Sequence, residues 1–223
     1  NANTIMDLGS SSKRTNNGGF RLVLAAMKLH NDATVQGSAC GVLKLLTEQQ
    51  DHAATVGQAG GLVPILTAMR QHETDKVVQA QGCGALCNLA LVDELQTPIL
   101  NAGGIGMIIV AMRQLEESAD VQKHACRALR HLAEDEQNKI SIGASGGITA
   151  MLRAMDRHVD NTAVQVLALK AIQSLVQIPR NRSTVLHHNG AKIIEKTMSQ
   201  HSHDKYIETA GWSILEILME AVE

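Results

Sequence analysis

Apolar and small residues recur along this chain in a pattern that returns every 43 residues. The pattern is clearest in a nine-residue string that opens on a β-branched apolar residue and continues with apolar or small residues at helical spacing. Its five copies are VQGSACGVL from Val35, VQAQGCGAL from Val78, VQKHACRAL from Val121, VQVLALKAI from Val164 and IETAGWSIL from Ile207. A fixed period of this length is typical of stacked helical units, so the sequence predicts a repeat architecture.

One unit, taken as residues 93–134, resolves into three predicted helices. A short polar stretch around the apolar Ile99 predicts the first helix, and the pair Gly103-Gly104 is expected to end it, because glycine tolerates the left-handed conformation. Apolar positions at 3.6-residue spacing then predict a second helix and a long third helix. These positions are Ile105, Ile108, Ile109 and Met112 in the second helix, and Val121, Ala125, Ala128, Leu129 and Leu132 in the third.

Start signals and small residues recur in step with the strings. Three residues before each string stands a side chain that can cap the N-terminus of a helix by accepting a hydrogen bond from a backbone N–H. These predicted N-caps are Asp32, Asp75, Ser118, Asn161 and Asp204. Four residues after the start of each string is a small residue, which is expected to let a neighbouring helix approach closely. These small residues are Ala39, Gly82, Ala125, Ala168 and Gly211.

Three of the four cysteines, Cys40, Cys83 and Cys126, occupy equivalent positions, which hold Leu169 and Trp212 in the last two units. The position therefore favours an apolar residue, and free cysteine behaves as one; Trp212 is accordingly predicted to lie in the core. Equivalent positions in stacked units are about 10 Å apart, which exceeds the Cα separation of about 7 Å that a disulfide allows. The sequence thus predicts free cysteines and a reducing compartment. For Cys83 and Cys87, one helical turn apart, packing is favoured over a metal or redox pair.

Composition excludes several classes of function. The chain has 22 acidic and 20 basic residues, a net charge of −2, and one residue each of Phe, Tyr and Trp. This gives neither the positive charge nor the stacking side chains of a nucleic-acid binder. No apolar run reaches the length of a membrane span, so no membrane insertion is predicted.

Residues 1–17, rich in Asn, Ser and Thr, are expected to form a flexible lead-in or an irregular cap. The absence of an initiator Met suggests a piece of a longer protein.

Candidate chemistry is sparse. None of the motifs G-x-S-x-G, G-x-x-x-x-G-K-[ST] or H-E-x-x-H occurs, so no enzyme activity is predicted. The pairs His187-His188 and His201-x-His203 have metal-like spacing, but they lie at predicted turns or helix ends and lack a set of further ligands. Neither a metal nor a cofactor is expected.

The third helix of the second unit, GCGALCNLA over residues 82–90, together with the glycine break, resembles an armadillo repeat. The glycine-broken short first helix favours this family over a HEAT array. The resemblance covers residues 18–223 and implies an all-α, right-handed armadillo-type α-solenoid of about five three-helix repeats. The approximate units are 18–48, 49–91, 92–134, 135–177 and 178–223. It also implies a non-enzymatic interaction module, a scaffold or adaptor whose third helices line a concave groove for extended peptides.

The groove asparagine of the family matches only Asn88, and the groove tryptophan of the nuclear-import adaptors matches Gly84, Arg127 and Lys170 rather than Trp. Both departures argue against classical import-signal binding. The predicted groove instead presents a mildly basic strip suited to an extended, acidic or phosphorylated protein segment. Its candidate residues are Gln81, Asn88, Lys123, His124, Arg127, Arg130, His131, Lys170 and Ser174.

An alternative is a structural subunit that contacts neighbours in a large assembly through its ends or convex face. The last unit has Glu195 where the others have apolar residues, and Ile217 and Met219 near the end of its last helix. A terminal repeat needs a polar outer face unless something covers it. Under either hypothesis the partners are proteins, and the expected location is intracellular, cytoplasmic or cytoskeletal, with a nuclear site left open.

Overall fold

The computed structural model describes residues 19–220, and the predicted lead-in at residues 1–17 lies outside this range. Within it every regular element is an α-helix and no strand occurs. The first helix, α1, covers residues 19–29. The others are α2 (Ala33–Leu46), α3 (Gln50–Gln58), α4 (Leu62–Gln71), α5 (Lys76–Leu89), α6 (Asp93–Asn101), α7 (Gly104–Gln114), α8 (Ala119–Leu132), α9 (Glu136–Ala144), α10 (Gly147–Arg157), α11 (Thr162–Leu175), α12 (Pro179–His187), α13 (Gly190–Gln200) and α14 (Lys205–Met219).

The helices form three parallel series. The first helices of the units are α3, α6, α9 and α12, the second helices are α1, α4, α7, α10 and α13, and the third helices are α2, α5, α8, α11 and α14. Each third helix packs on the next one along the chain, and α4, α7, α10 and α13 pack in the same order. The predicted all-α solenoid of repeated helical units is therefore confirmed, and one core runs along its length.

The predicted start signals are confirmed in all five third helices. Asp75 Oδ1, for example, accepts hydrogen bonds of 2.9 Å from the backbone N–H groups of Val77 and Val78. The other four predicted caps also accept bonds from the first turn of their helices. These bonds satisfy donors that have no partner inside the helix.

The two glycines of the pairs Gly60-Gly61, Gly103-Gly104 and Gly146-Gly147 have different tasks. The first, such as Gly103 at φ 77°, adopts the left-handed conformation that ends the first helix. The second sits too close to that helix for a side chain, because a Cβ on Gly147 would lie 2.6 Å from Ile142 Cγ2. A small residue on the third helix is needed for a similar reason, since a Cβ on Gly82 would lie 2.6 Å from Met69 Cγ. The predicted close approach of neighbouring helices is thus confirmed.

The glutamine that follows the valine in four of the strings is a structural clamp whose role the sequence did not reveal. Gln122 is buried on α8, and its Nε2 donates to the carbonyl oxygens of Met112 (2.9 Å) and Leu115 (3.0 Å) at the end of α7. Gln36, Gln79 and Gln165 make equivalent pairs of bonds. The clamp satisfies carbonyls that the end of a helix leaves without partners, and so joins the second helix to the third.

The equivalent cysteines are confirmed as free core residues. Cys40, Cys83 and Cys126 are all 0% exposed, and burial raises the pKa of Cys40 and Cys126 to about 12. The prediction that Trp212 lies in the same core was wrong, because Trp212 is 54% exposed. The position is covered by the following unit, and α14 is the last helix of the described range.

The helices of residues 19–220 include none that is, by itself, long and apolar enough to cross a membrane. Only α6 and α7 taken together satisfy that criterion, across a bend of 70°. Their apolar residues Ile99, Ile105 and Ile108 are buried in the core.

Candidate functional site

The solvent-facing side of the third helices, here called the groove face, carries the predicted basic strip. Its geometry is set at Gly84, where α5 offers no side chain. A Cβ at Gly84 would lie 2.5 Å from Lys44 Cδ and 3.5 Å from His124 Nδ1, so the side chains of the neighbouring helices converge over this glycine. Three successive third helices thus meet at one point of the groove face, and Lys44 of α2 brings a cation to it.

The strip continues along α8 to α11. Arg127 is exposed and Arg130 is half-buried, one turn apart on α8. On α11, Lys170 places its Nζ 4.6 Å from the centre of the Tyr206 ring, which holds the ammonium by a cation–π contact. Ser174, half-buried one turn further on, donates to the Lys170 carbonyl oxygen at 3.5 Å. The structure therefore brings the predicted cations of α8 and α11 onto one face.

Two acidic side chains lie within the strip of cations. Asp120 accepts a 2.8 Å hydrogen bond from Lys123 Nζ, and Lys123 lowers the pKa of that carboxyl. Glu134 lies 3.5 Å from His131 Nδ1. Within residues 19–220, Lys44, Arg127 and Arg130 form no ion pair, so their charges remain available to a ligand.

Both histidines of the strip have pKa values below the ordinary range. Burial lowers the pKa of His124 to about 4, and the nearby charges of Lys44 and Lys123 add to the effect. Burial also lowers the pKa of His131, with Arg130 contributing and Glu134 opposing. The positive potential of the groove face at neutral pH therefore comes from lysine and arginine, while the histidines act as neutral hydrogen-bonding groups.

Three predicted groove residues are buried or half-buried in the array. Asn88 is only 6% exposed, and its Nδ2 donates to the Lys44 carbonyl oxygen at 2.8 Å, which ties α5 to α2. His131 is 8% exposed. Gln81 is half-buried beside Gly41, and its Oε1 has no hydrogen-bond partner. Their part in ligand binding stays a prediction.

The exposed side of the second helices, here called the outer ridge, has a different charge arrangement. Arg153 and Arg157 of α10 pair with Glu116 beyond the end of α7 at 3.3 and 3.4 Å, and Arg157 also pairs with Glu117. Lys196 of α13 pairs with Asp156 of α10 at 2.7 Å. These three cations of the ridge thus bind carboxylates of the preceding unit.

Three of the four histidines with metal-like spacing are hydrogen-bonded within the array. His187 and His188 each donate from Nδ1 to the carbonyl oxygen four residues earlier, at 2.6 and 2.9 Å. His201 Nε2 donates to the Val159 carbonyl oxygen at 2.7 Å, and His158 Nε2 makes the same bond to Glu116. In the described part of the chain no group of three His, Cys, Asp or Glu residues could hold a metal ion.

Sequence reasoning missed Lys44 as a groove residue. The resemblance to the family drew attention to the positions equivalent to Asn88 and Gly84, whereas Lys44 occupies the position equivalent to Arg130. The signal that could have found it is the glycine at position 84, which leaves room for a long side chain from the neighbouring unit.

Comparison with known proteins places this geometry in a family. The sequence model of the LRRK2 ARM repeat matches residues 20–218. No curated protein sequence matches this one significantly. Among solved structures, a chain from work on the phosphorylation switch that controls the interaction between cadherin and β-catenin superposes with a TM-score of 0.79 at 16% identity, over 91% of this chain and 39% of that chain. The crystal structure of an engineered protein superposes with a TM-score of 0.56 at 18% identity, over 92% of this chain and 98% of that one.

The structural likeness, at these identities, shows the fold alone, and it confirms the armadillo-type solenoid predicted from the repeat. Such a solenoid is in general a protein-interaction module. Because the family match extends over nearly all of the described residues, the chain belongs to the LRRK2 ARM repeat family.

Proposed function

We propose that this chain is a non-enzymatic scaffold or adaptor that binds an extended, acidic segment of a partner protein along the groove face. The observation that carries the proposal is the run of cations over three third helices, Lys44 on α2, Arg127 and Arg130 on α8, and Lys170 on α11. Armadillo solenoids are typically non-catalytic interaction modules, which supports the general class.

The contrast between local and total charge supports an acidic ligand. The whole chain has a net charge of −2, yet the groove face brings together Lys44, Arg127, Arg130 and Lys170, none of which forms an ion pair within residues 19–220. A strip of one sign attracts a ligand of the opposite sign. Arginine adds geometric selectivity, because its planar guanidinium binds a carboxylate or a phosphate through two parallel hydrogen bonds.

An extended ligand is supported by the order of the contacts. The cations follow the stack of helices rather than enclosing one pocket, and polar side chains such as Gln81 and Ser174 lie among them. Amide and hydroxyl groups can bond the free N–H and C=O groups of an extended backbone in either direction. A segment that runs across α5, α8 and α11 would therefore meet both kinds of contact.

The proposal is tested by fluorescence anisotropy with a labelled peptide of alternating Glu and Ser residues. Charge reversal at Arg127→Glu and Lys170→Glu together is expected to weaken binding at least about tenfold, which corresponds to about 1.4 kcal/mol. The matched control is Arg70→Glu with Lys192→Glu, which makes the same change in net charge at exposed positions of the second helices. Phosphorylation of the peptide serines is expected to tighten binding, since it adds charge.

Equal weakening by the two double variants would show that total charge, and not the groove face, governs binding. In that case the groove assignment is wrong. Unchanged binding by the groove variant leads to the same conclusion.

The proposed location is intracellular, cytoplasmic or cytoskeletal, with a nuclear site left open. It is supported by four free, buried cysteines, a state typical of reducing compartments. Recovery of the chain in the extracellular fraction of the cells that make it would contradict this location.

A further inference from the structure

A cleft opens on the outer ridge between α7 and α10, the second helices of the third and fourth units. Its volume of about 300 Å³ lies at the lower end of the range of small-molecule sites. Its base is apolar and buried, and consists of Met112, Ala150 and Ala154. Described units lie on both sides of this junction, so the cleft belongs to the interior of the array.

The cleft exists because α10 has small residues where the neighbouring second helices have larger ones. Met107 of α7 is equivalent to Ala150, and Thr197 of α13 is equivalent to Ala154. Both larger side chains are buried at their own junctions, since Met107 is 9% and Thr197 is 1% exposed. Alanine at both positions leaves a space between α7 and α10 that methionine or threonine would fill.

The clamp residue Gln122 brings a polar atom to this space. Gln122 is 1% exposed and lines the cleft. Both hydrogen bonds of its amide are donated by Nε2, so Oε1 has no donor among residues 19–220. The equivalent oxygen of Gln165 accepts a 2.9 Å hydrogen bond from the Thr197 hydroxyl, for which Ala154 has no counterpart. The buried Gln122 Oε1 is therefore a hydrogen-bond acceptor that a ligand in the cleft can use.

The charged residues of the cleft have one positive charge in excess. Arg153 pairs with Glu116 at 3.3 Å, and both line the cleft. Arg113, the third charged residue of the lining, forms no ion pair within residues 19–220. Its Nη2 donates to the Ser145 carbonyl oxygen at 3.5 Å, beside Gly146 at the N-terminus of α10. A guanidinium next to the positive end of a helix favours an anionic group.

We infer that this cleft binds a small organic monocarboxylate that has an apolar body and an O–H or N–H donor. The carboxylate pairs with Arg113, the apolar body lies on Met112 and the two alanines, and the donor bonds Gln122 Oε1. One small molecule can reach both polar groups, because the Gln122 amide is bonded to the carbonyl of Met112, the residue before Arg113. The cleft opens between second helices, so this site does not depend on the proposal for the groove face.

The probe for the test is para-hydroxyphenylacetate, which has a carboxylate, an apolar ring and a phenolic hydroxyl. Its binding is followed by NMR from the methyl signals of Met112, Ala150 and Ala154. We expect these signals to shift with probe concentration and to saturate. Para-hydroxyphenylethanol, which lacks the carboxylate, should bind at least about tenfold more weakly, and phenylacetate, which lacks the hydroxyl, at least about threefold more weakly.

Two variants test the assigned contacts. Ala154→Thr transfers the threonine of the following junction to this one, where its hydroxyl should bond Gln122 Oε1, so probe binding should fall at least about tenfold. Its control is Ala68→Thr, at the equivalent position of α4, which should bind the probe as the native chain does. Arg113→Gln should weaken the probe at least about tenfold but leave the binding of para-hydroxyphenylethanol unchanged. Arg70→Gln, at the equivalent exposed position of α4, should change neither.

Circular dichroism of each variant establishes first that it is folded. The inference is wrong if the Met112 signal does not shift or shifts without saturating, or if either truncated probe binds as tightly as the full one. Native binding by a folded Ala154→Thr, or equal losses in Arg113→Gln and Arg70→Gln, would overturn it as well.

Discussion

The groove face and the outer ridge carry similar kinds of charged residue in opposite arrangements. On the ridge, Arg157 and Lys196 pair with carboxylates of the preceding unit, so the charges hold neighbouring units together. On the groove face, Arg127 and Arg130 have no carboxylate partner within residues 19–220. These ridge pairs thus contribute to the stability of the stack, while Arg127 and Arg130 repel each other slightly and favour an anionic ligand. The comparison separates residues that build the solenoid from residues that can recognise a partner.

The largest predicted effect concerns the clamp that joins the two faces. Gln122→Ala removes both hydrogen bonds from α8 to the end of α7 and leaves the Met112 and Leu115 carbonyls without their donor. We expect the free energy of unfolding to fall by about 2–4 kcal/mol, from the unsatisfied carbonyls and the cavity together. Chemical denaturation followed by circular dichroism measures it. The control Gln177→Ala, at an exposed position near the end of α11, should stay within about 0.5 kcal/mol of the native chain.

If Gln122→Ala unfolds at the same denaturant concentration as Gln177→Ala, the clamp does not contribute to the stability of the fold. The second and third helices would then be joined by apolar packing alone. In that case the second helices of the ridge and the third helices of the groove face would not need the hydrogen bonds of the clamp to stay together.

A second prediction concerns the pKa of His124 on the groove face. NMR titration of the His124 ring should give a pKa near 4, because burial and the charges of Lys44 and Lys123 disfavour its protonation. Lys44→Ala should raise this pKa toward the ordinary value of 6.5, and a bound acidic peptide should raise it as well. An unchanged pKa in Lys44→Ala would show that Lys44 does not approach His124 in solution.

The lowered pKa of His124 also determines the direction in which pH changes the free energy of unfolding. The pKa of His124 is lower in the folded chain than its ordinary value of 6.5, so the unfolded chain takes up a proton first as the pH falls. The contribution of His124 to stability is therefore complete above about pH 6.5 and declines between 6.5 and about 4. In His124→Gln this decline should become smaller, which denaturation at several pH values can measure.

The sequence predicted the fold in detail because a repeat presents the same physical requirement several times. Five N-caps, the left-handed position at Gly103 and an apolar core position in four units were visible in the sequence, and the structure confirms them. The clamp was present in the same strings as a recurring Gln, but its partners are backbone carbonyls, which no residue pattern displays. Trp212 was mispredicted because repetition assumes a following unit, and the last unit of the described range has none over it.

The candidate site was less accessible to prediction. Cations on α8 and α11 could be assigned to the groove face by their register alone. The meeting of Lys44 and His124 over Gly84 depends on how far a long side chain reaches across a unit boundary. The engagement of Asn88 with the Lys44 carbonyl depends on the spacing of α2 and α5. Both are properties of packed helices and not of a single unit.

The smallest predicted effect compares one arginine from each face. Arg157→Ala removes the ion pairs with Glu116 and Glu117, and we expect a loss of about 0.5–1 kcal/mol in the free energy of unfolding at low salt, which shrinks at high salt. Arg127→Ala breaks no ion pair and removes a neighbour that repels Arg130, so it should change stability by less than about 0.5 kcal/mol in either direction. Measured together, the two variants should separate in low salt and converge in high salt. If Arg127→Ala costs as much as Arg157→Ala with the same salt dependence, the groove cations are also structural, and the division of tasks between the two faces does not hold.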